Sequence, residues 1–272
     1  MEGVNFISDE EQGVFVFHVS ELSEPLKDHI RKNLVSICEG EYHSQKFTAF
    51  HTYELTLKTF MERFEPKGAT TKIGMIGELL CHLLLPLEKT DYLCASPYFN
   101  MEENSIKKGH DLLLFDKEKS ELWITEVKSG EKGQAESTTK KSIDLLSLAG
   151  RDLIDKLNGG GTNLWRNALK GMDSVIRDGV TKDVIVKELA EYQGKTVSGE
   201  QKSEEYNVLL TSNVFHTLED PVSFDEILSW TDSYSNRSRF KEVIFVSLQK
   251  GTYQKVVDFL KSELSRDVGG AA

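Results

Sequence analysis

Cysteine is scarce in this sequence, and the cysteines present follow no disulfide or metal-binding pattern. The 272 residues contain three of them, Cys38, Cys81 and Cys94, which are widely spaced and include no Cys-x-x-Cys pair. Small disulfide-bonded domains and zinc ribbons need paired cysteines at characteristic spacings. The sequence therefore predicts packed thiols and argues against both of those classes.

An excess of positive charge is also missing. The formal net charge is −11 at pH 7, from 33 Lys and Arg against 44 Asp and Glu. Because phosphate binding is mainly electrostatic, this negative net charge argues against a protein that binds nucleic acid over most of its surface. Any DNA contact is expected to be local or to be supplied by a partner.

Long apolar runs are the third absence. No tract is expected to supply the roughly 20 apolar residues that span a bilayer, and the first residues are acidic where a signal peptide is basic. The sequence therefore predicts a cytoplasmic protein with no membrane partner.

The composition itself is that of a folded chain, with 39% hydrophobic and 28% charged residues. A chain of this length suits one large domain that carries an extension. Residues 1–66 have their own strand-and-helix pattern and are predicted to form an N-terminal extension packed on the core. The main domain is predicted over 67–266, with a helical insertion at about 158–204 and a frayed tail at 267–272.

The order of predicted elements indicates the fold class. A helix that is apolar nearly all round, "ATTKIGMIGELLCHLLLPLE", precedes three strand candidates in "DYLCASPYF", "HDLLLF" and "ELWITEVK". A long helix follows from about 135 to 157, and "YNVLLTSNVF" and "FKEVIFVSL" are two later strands, separated from it by shorter helices and an exposed loop at 194–205. This alternation predicts an α/β protein with a mixed central sheet flanked by helices.

Charged residues stand at the outer ends of two apolar runs in "DLLLFDKEKSELWITEVK", residues 111–128. If residues 117–120 form a four-residue hairpin loop, 116 pairs with 121, and Asp111 lies opposite Glu126. Strand side chains alternate between faces, so Glu126 and Lys128 share one face. Opposed like charges are destabilising without a compensating group. Since Mg²⁺ and similar hard ions take carboxylate oxygens, the pattern predicts a site for Mg²⁺ or Mn²⁺.

A third acid lies in the apolar helix that precedes the strands. Glu78 would be costly to bury as an ionised carboxylate without a partner. It shares a helix face with Gly74 and His82, so the backbone on that side is expected to approach a neighbouring element closely. We predict that Glu78 binds the metal directly or through water.

Simpler interpretations exist for each residue taken alone. A Glu-x-Lys triplet at a strand end is most often a solvated rim, and a single helix acid such as Glu78 is more often a surface group or an ion-pair partner. His82 and His110 are more often ordinary packed histidines than ligands. The functional prediction depends on the combination and order of the four charged residues.

That ordered combination resembles the PD-(D/E)XK nuclease superfamily over roughly residues 70–157. The resemblance implies a restriction-endonuclease-like core, in which a helix, a three-stranded meander, a second helix and a further strand follow one another. It implies Glu78 as the acid of the first core helix and Lys128 as the catalytic lysine. It places the metal at Asp111 and Glu126, with Val127 and Glu78 completing the ligand set.

The chain departs from that superfamily pattern at two points. His110 replaces the proline that precedes the aspartate, and no Gln-xxx-Tyr pattern follows the lysine. Gln134 and either Lys140 or Lys141 are expected to face the site from the next helix instead. Basic residues elsewhere are few. The candidate DNA contacts are Lys107, Lys108, Gln134, Lys140, Lys141, Arg237, Arg239 and Lys241.

A second resemblance covers most of the chain. The segments "KKGHDLLLF" and "LWITEVKSG", together with the C-terminal strand and helix, look like the nuclease subunit of the Hachiman anti-phage defence system. This resemblance implies a bacterial, metal-dependent deoxyribonuclease with a partner helicase of superfamily 2. The helicase is expected to sense DNA and to release the nuclease from an inactive state. Two alternatives stay open: a non-catalytic DNA- or partner-binding subunit on a nuclease-like fold, and a restriction-type endonuclease that reads sequence alone.

Overall fold

The centre of the protein is one mixed β-sheet. The structure is a computed structural model that describes residues 1–99, 110–159, 163–234 and 236–268. Seven strands of these ranges form the sheet, in the order β1-β2-β7-β6-β5-β4-β3. The strands are β1 (Val4–Asp9), β2 (Val14–Val19), β3 (Tyr92–Cys94), β4 (Leu112–Asp116), β5 (Glu121–Glu131), β6 (Asn207–Phe215) and β7 (Glu242–Lys250). The four strands β2, β7, β6 and β5 run parallel, and the outer strands are antiparallel.

Helices cover both faces of this sheet, which confirms the predicted α/β class. They are α1 (Glu24–Glu39), α2 (Glu41–Lys46), α3 (Tyr53–Phe64), α4 (Ala69–Glu88), α5 (Thr138–Asn158), α6 (Leu164–Val175), α7 (Val180–Ser198), α8 (Phe224–Ser233) and α9 (Gln254–Val268). On one face α4 packs with α1, α3 and α9 in a single apolar core. On the other face α5 packs with α6, α7 and α8 in a second core. The sheet therefore separates two hydrophobic layers.

The start of α1 follows the capping signals of its sequence. The hydroxyl of Ser23 accepts a hydrogen bond from the backbone N–H of Leu26, and Pro25 lies in the first turn. Proline is tolerated there because the N–H it lacks would have no helical partner. Local sequence thus determines where this helix begins.

Residues 1–66 were predicted to form an extension packed on the core, but the structure places their strand β2 inside the central sheet. Strand β2 pairs in parallel with β7, with Val14 beside Phe245 and Val19 beside Lys250. The side chains of β2 are buried on both faces, Phe15 and Phe17 in the α4 layer and Val14 and Val16 in the α5 layer. A strand that is apolar on both faces requires such an internal position in a sheet.

One helix extends further than the sequence predicted. Residues 194–198, expected in an exposed loop, continue α7, which ends at Gly199 with φ of 72°. Tertiary contact explains the extra turn, since the indole N–H of Trp165 donates to Thr196 Oγ1 at 3.0 Å. The helices α6 and α7 occupy the range predicted as an insertion. Of the tail, residues 269–272 lie outside the described part of the chain.

Helix α4 also differs from the expectation that no tract is long and apolar enough to span a bilayer. An 18-residue window of this 20-residue helix has a mean hydropathy of 1.2 and passes that test by length and composition, and 50% of the window is buried inside the protein. Core helices of globular proteins pass the same test. The burial comes from packing on the sheet, with Leu79, Leu80 and Leu83 in the core.

Candidate functional site

The hairpin register predicted from loop length is confirmed. Asp116 pairs with Glu121 and Leu112 pairs with Thr125, so the same register continued by one residue sets Asp111 opposite Glu126. Asp111 lies just before β4, where one of its carboxylate oxygens, Oδ2, accepts a hydrogen bond of 2.7 Å from the backbone N–H of Val127. The two acids are therefore adjacent at the end of the hairpin.

Alternation along β5 determines which side of the sheet carries the charges. Leu122 and Ile124 belong to the core beneath α5, and Glu126 continues on that face. Its side chain is only 4% exposed, whereas that of Lys128, two residues further on, is 23% exposed. The face thus changes from apolar to charged within one strand, at the carboxyl end where ligand sites in parallel sheets are commonly found.

Two lysines hold the buried carboxylate. The ammonium of Lys128 donates to Glu126 Oε1 at 3.0 Å, and that of Lys156 donates to Oε2 at 2.6 Å. Lys128 also reaches Asp152 Oδ2 at 2.7 Å. Asp152 and Lys156 lie one turn apart on α5 and so face the strand together. The two oxygens of Glu126 each bind a different ammonium group.

Sequence reasoning missed Asp152 and Lys156. Their only local signal is an acid and a base one turn apart on the helix that follows β5. Such pairs are common on solvent-facing helix surfaces, where they contribute little. Recognising them required knowing which side of α5 faces the sheet at Glu126.

The electrostatics of the site follow from burial and close charges. Burial raises the pKa of Glu126, and the neighbouring charge of Asp111 raises it further, while Lys156 and Lys128 oppose both effects. Burial lowers the pKa of Lys128, but the carboxylates of Glu126 and Asp152 outweigh burial, and the net pKa is raised. Lys128 is therefore a charged ammonium at neutral pH.

The paired acids suit a hard divalent cation. Carboxylate oxygens are the preferred ligands of Mg²⁺ and Mn²⁺, which usually keep several waters and need few protein groups. Among the described residues no three His, Cys, Asp or Glu side chains lie close enough to hold one ion together. Asp111 and Glu126 thus supply a two-carboxylate donor set, and backbone oxygens or water would complete it.

Glu78 does not join that pair in a cluster of three. It lies on α4, across the sheet from α5, with its Oε1 4.0 Å from Nε2 of His82. It is not remote, however. The pKa of the Cys81 thiol is raised to about 12, mainly by burial, and both Glu78 and Asp111 contribute.

The close approach predicted beside Glu78 occurs at a different glycine. A Cβ added at Gly77 would stand 2.0 Å from Ser129 Oγ, whereas one added at Gly74 would have no atom within 4 Å. Ser129 follows Lys128 in β5 and points to the α4 face. Gly77 therefore sets how closely α4 packs on the strand that carries the site.

Of the candidate DNA contacts that the structure describes, Lys141 lies beside the charged face. Its Cε is 3.2 Å from where a Cβ of Gly130 would be, and Gly130 continues the face of Glu126 and Lys128. Lys140 instead forms an exposed ion pair with Asp144. Gln134 is exposed between β5 and α5. Lys107 and Lys108 lie outside the described residues.

The basic stretch at 237–241 does not join the site. Lys241 pairs with Glu121 at 2.6 Å, and Glu121 begins β5, about 17 Å of strand away from Glu126 at roughly 3.3 Å per residue. Arg239 pairs with Glu204 at 3.0 Å, and Arg237 donates to a backbone carbonyl, that of Gln12. These three residues are engaged at the opposite end of the sheet.

A cleft of about 600 Å³ opens at that opposite end, between the β1–β2 turn, the end of α4 and the start of β7. Acidic side chains outnumber basic ones in its lining, so it does not suit a phosphate backbone. This cleft is therefore separate from the charged residues Asp111, Glu126 and Lys128, despite its size.

The two histidines near the site are packed side chains. His110 is buried against the ring of Trp165, with centroids 5.0 Å apart, and His82 is buried against Tyr98 at 5.7 Å. The simpler interpretation of both residues thus accounts for their positions.

Comparisons with known proteins place the chain in a family. Searches of curated proteins and of solved structures gave no significant match. A family model described as HamA matches residues 4–268, which is nearly the whole chain. This match confirms the resemblance to a Hachiman component that the sequence motifs indicated. The chain belongs to the HamA family, a component of the Hachiman anti-phage defence system.

Proposed function

We propose that this protein is a divalent-metal-dependent deoxyribonuclease of the Hachiman system, which hydrolyses phosphodiester bonds in bacterial cytoplasm. The adjacency of Asp111, Glu126 and Lys128 at the end of one hairpin carries the proposal. A structural role alone would not favour burying a carboxylate beside a second acid, because burial and like charge both destabilise its ionised form.

Each residue has a definite role in this proposal. Asp111 and Glu126 would hold Mg²⁺ or Mn²⁺, and the carbonyl of Val127 and water held by Glu78 are the candidates for further ligands. When bound, such an ion polarises the phosphoryl oxygen and lowers the pKa of coordinated water. The ammonium of Lys128, held by Glu126 and Asp152, is positioned to stabilise negative charge that develops on the phosphate.

The remaining surface is poorly suited to binding DNA without help. The chain carries a net charge of −11, and its exposed basic residues at 237–241 are largely paired with acids. We therefore propose that a superfamily 2 helicase of the same defence system senses DNA, delivers it to the site and releases the nuclease. Lys141 is the described residue best placed for a local phosphate contact.

Substitution of the site residues tests the proposal. We expect Glu126→Gln and Lys128→Met each to reduce DNA cleavage by about a hundredfold or more in Mg²⁺ or Mn²⁺ with the helicase present. Lys182→Met is the matched control, since Lys182 bridges Asp173 and Asp178 away from the site. Linear and circular DNA are compared with and without the helicase, and a chelator should abolish cleavage. Full cleavage by a folded double variant of Glu126 and Lys128 would refute the nuclease assignment.

A second candidate is a non-catalytic DNA- or partner-binding subunit. It is favoured by one observation, that both oxygens of Glu126 are bound by lysines. Absence of divalent-metal binding in calorimetry, with DNA and helicase binding retained, would select it. Cleavage confined to one sequence would instead support a restriction-type enzyme.

A further inference from the structure

The ammonium of Lys156 binds the carboxylate of Glu126 at a place where a metal ion would have to bind. Its ammonium is 2.6 Å from Glu126 Oε2, while Lys128 takes Oε1 at 3.0 Å. The carboxylate is 4% exposed, so water has little access to either oxygen. In this arrangement the two ammonium groups supply the positive charge that faces the carboxylate of Glu126.

A divalent ion bound by the same two acids competes with this arrangement. An ammonium group and a metal ion bind the same carboxylate oxygen more weakly together than each does alone, because two cations a few ångströms apart repel each other. Lys128 has a second anchor in Asp152, at 2.7 Å, which holds it beside the site. Lys156 projects from α5 with 30% of its side chain exposed, so its flexible stem can carry the ammonium into solvent.

We propose that Lys156 is the resident counter-ion of Glu126, a positioning residue that holds this carboxylate in the metal-free protein and is displaced when a divalent cation binds. The inference rests on the proposed function and adds a control on metal loading. In this role Lys156 lowers the metal affinity of the subunit.

Metal affinity measured on the full chain tests this role independently of cleavage. Mn²⁺ is titrated by calorimetry into the wild-type protein and into Lys156→Gln, Lys156→Arg, Lys182→Gln and Glu126→Gln. Loss of a unit charge a few ångströms from the ion should tighten Mn²⁺ binding roughly five- to hundredfold in Lys156→Gln. Lys156→Arg keeps the charge and should stay within about threefold of wild type, as should Lys182→Gln, while Glu126→Gln should lose binding.

The outcomes separate this inference from the proposed function. If Lys156→Gln binds Mn²⁺ no more tightly than wild type, or more weakly, the counter-ion role is refuted, yet metal-dependent cleavage by the wild-type protein would stand. If neither wild type nor Lys156→Gln binds Mn²⁺, with or without DNA, the proposed function fails as well. Thermal unfolding of each variant without metal shows whether a loss of binding comes from a loss of folding.

Discussion

Gly77 offers a sharp test of how α4 is fitted against the strand that carries the site. A Cβ at this position would stand 2.0 Å from Ser129 Oγ and 2.9 Å from Ser129 Cβ. Contacts this short do not occur between real side chains, so Gly77→Ala must push the helix and strand apart or force Ser129 out of place. Gly74 on the same helix has no atom within 4 Å of an added Cβ and provides a matched control.

The expected change in the free energy of unfolding is the balance of two effects. Overpacking a core contact typically costs about 1–3 kcal/mol. Alanine is favoured over glycine inside a helix by about 1 kcal/mol, and both substitutions gain this amount. Gly74→Ala should therefore stabilise the protein by about 1 kcal/mol, and Gly77→Ala should be less stable than Gly74→Ala by about 1–3 kcal/mol. In a chain of this size that difference corresponds to a melting temperature roughly 2–12 °C lower.

Urea and thermal unfolding of the two variants measure this difference, and Ser129→Ala tests its cause. Removing the Ser129 hydroxyl relieves the shortest contact and should restore part of the stability lost in Gly77→Ala, which a double-mutant cycle detects as coupling. Because Ser129 follows Lys128, DNA cleavage should fall more in Gly77→Ala than in Gly74→Ala. Equal stability of the two glycine variants, or additive effects with Ser129→Ala, would refute the packing argument.

Two other predictions concern charge. The pKa of Glu126 is raised in the fold, so its ionised form destabilises the protein above the folded pKa, and this effect vanishes as pH falls below the ordinary carboxyl pKa. Glu126→Gln should therefore be more stable than wild type at neutral pH, by a margin that disappears near pH 4 in urea unfolding. No margin at neutral pH would contradict this expectation. Lys141→Ala should weaken DNA binding several-fold and reduce its salt dependence by about one phosphate contact. Arg239→Ala, at the far end of the sheet, should leave both the affinity and its salt dependence unchanged. Equal losses of affinity in anisotropy titrations would show that the far end also binds DNA.

Local rules explain why the central hairpin was predictable. Strand alternation and a four-residue loop act within a few residues, so they place Asp111 opposite Glu126 without reference to the rest of the chain. The same holds for the start of α1, where Ser23 and Pro25 supply a cap and a first turn. These features need only neighbouring residues to form.

Other parts of the fold escaped prediction because they depend on distant partners. Strand β1 was not anticipated, since its pairing with β2 leaves much of it exposed and its apolar alternation is weak. The position of β2 in the sheet depends on β7, more than 220 residues later in the chain. Glu78 was predicted as a third acid, yet whether α4 lies on the same side of the sheet as the other charges is a question of packing.

The sequence by itself determined the α/β class, the hairpin register and the adjacency of Asp111, Glu126 and Lys128, because alternation and turn length are local constraints. Only the tertiary structure decided which groups surround that carboxylate pair. It brought Asp152 and Lys156 from α5 onto one face, put Glu78 on the other and fixed the close contact at Gly77. Those choices depend on how two helices pack on opposite faces of one sheet, which no short stretch of sequence specifies.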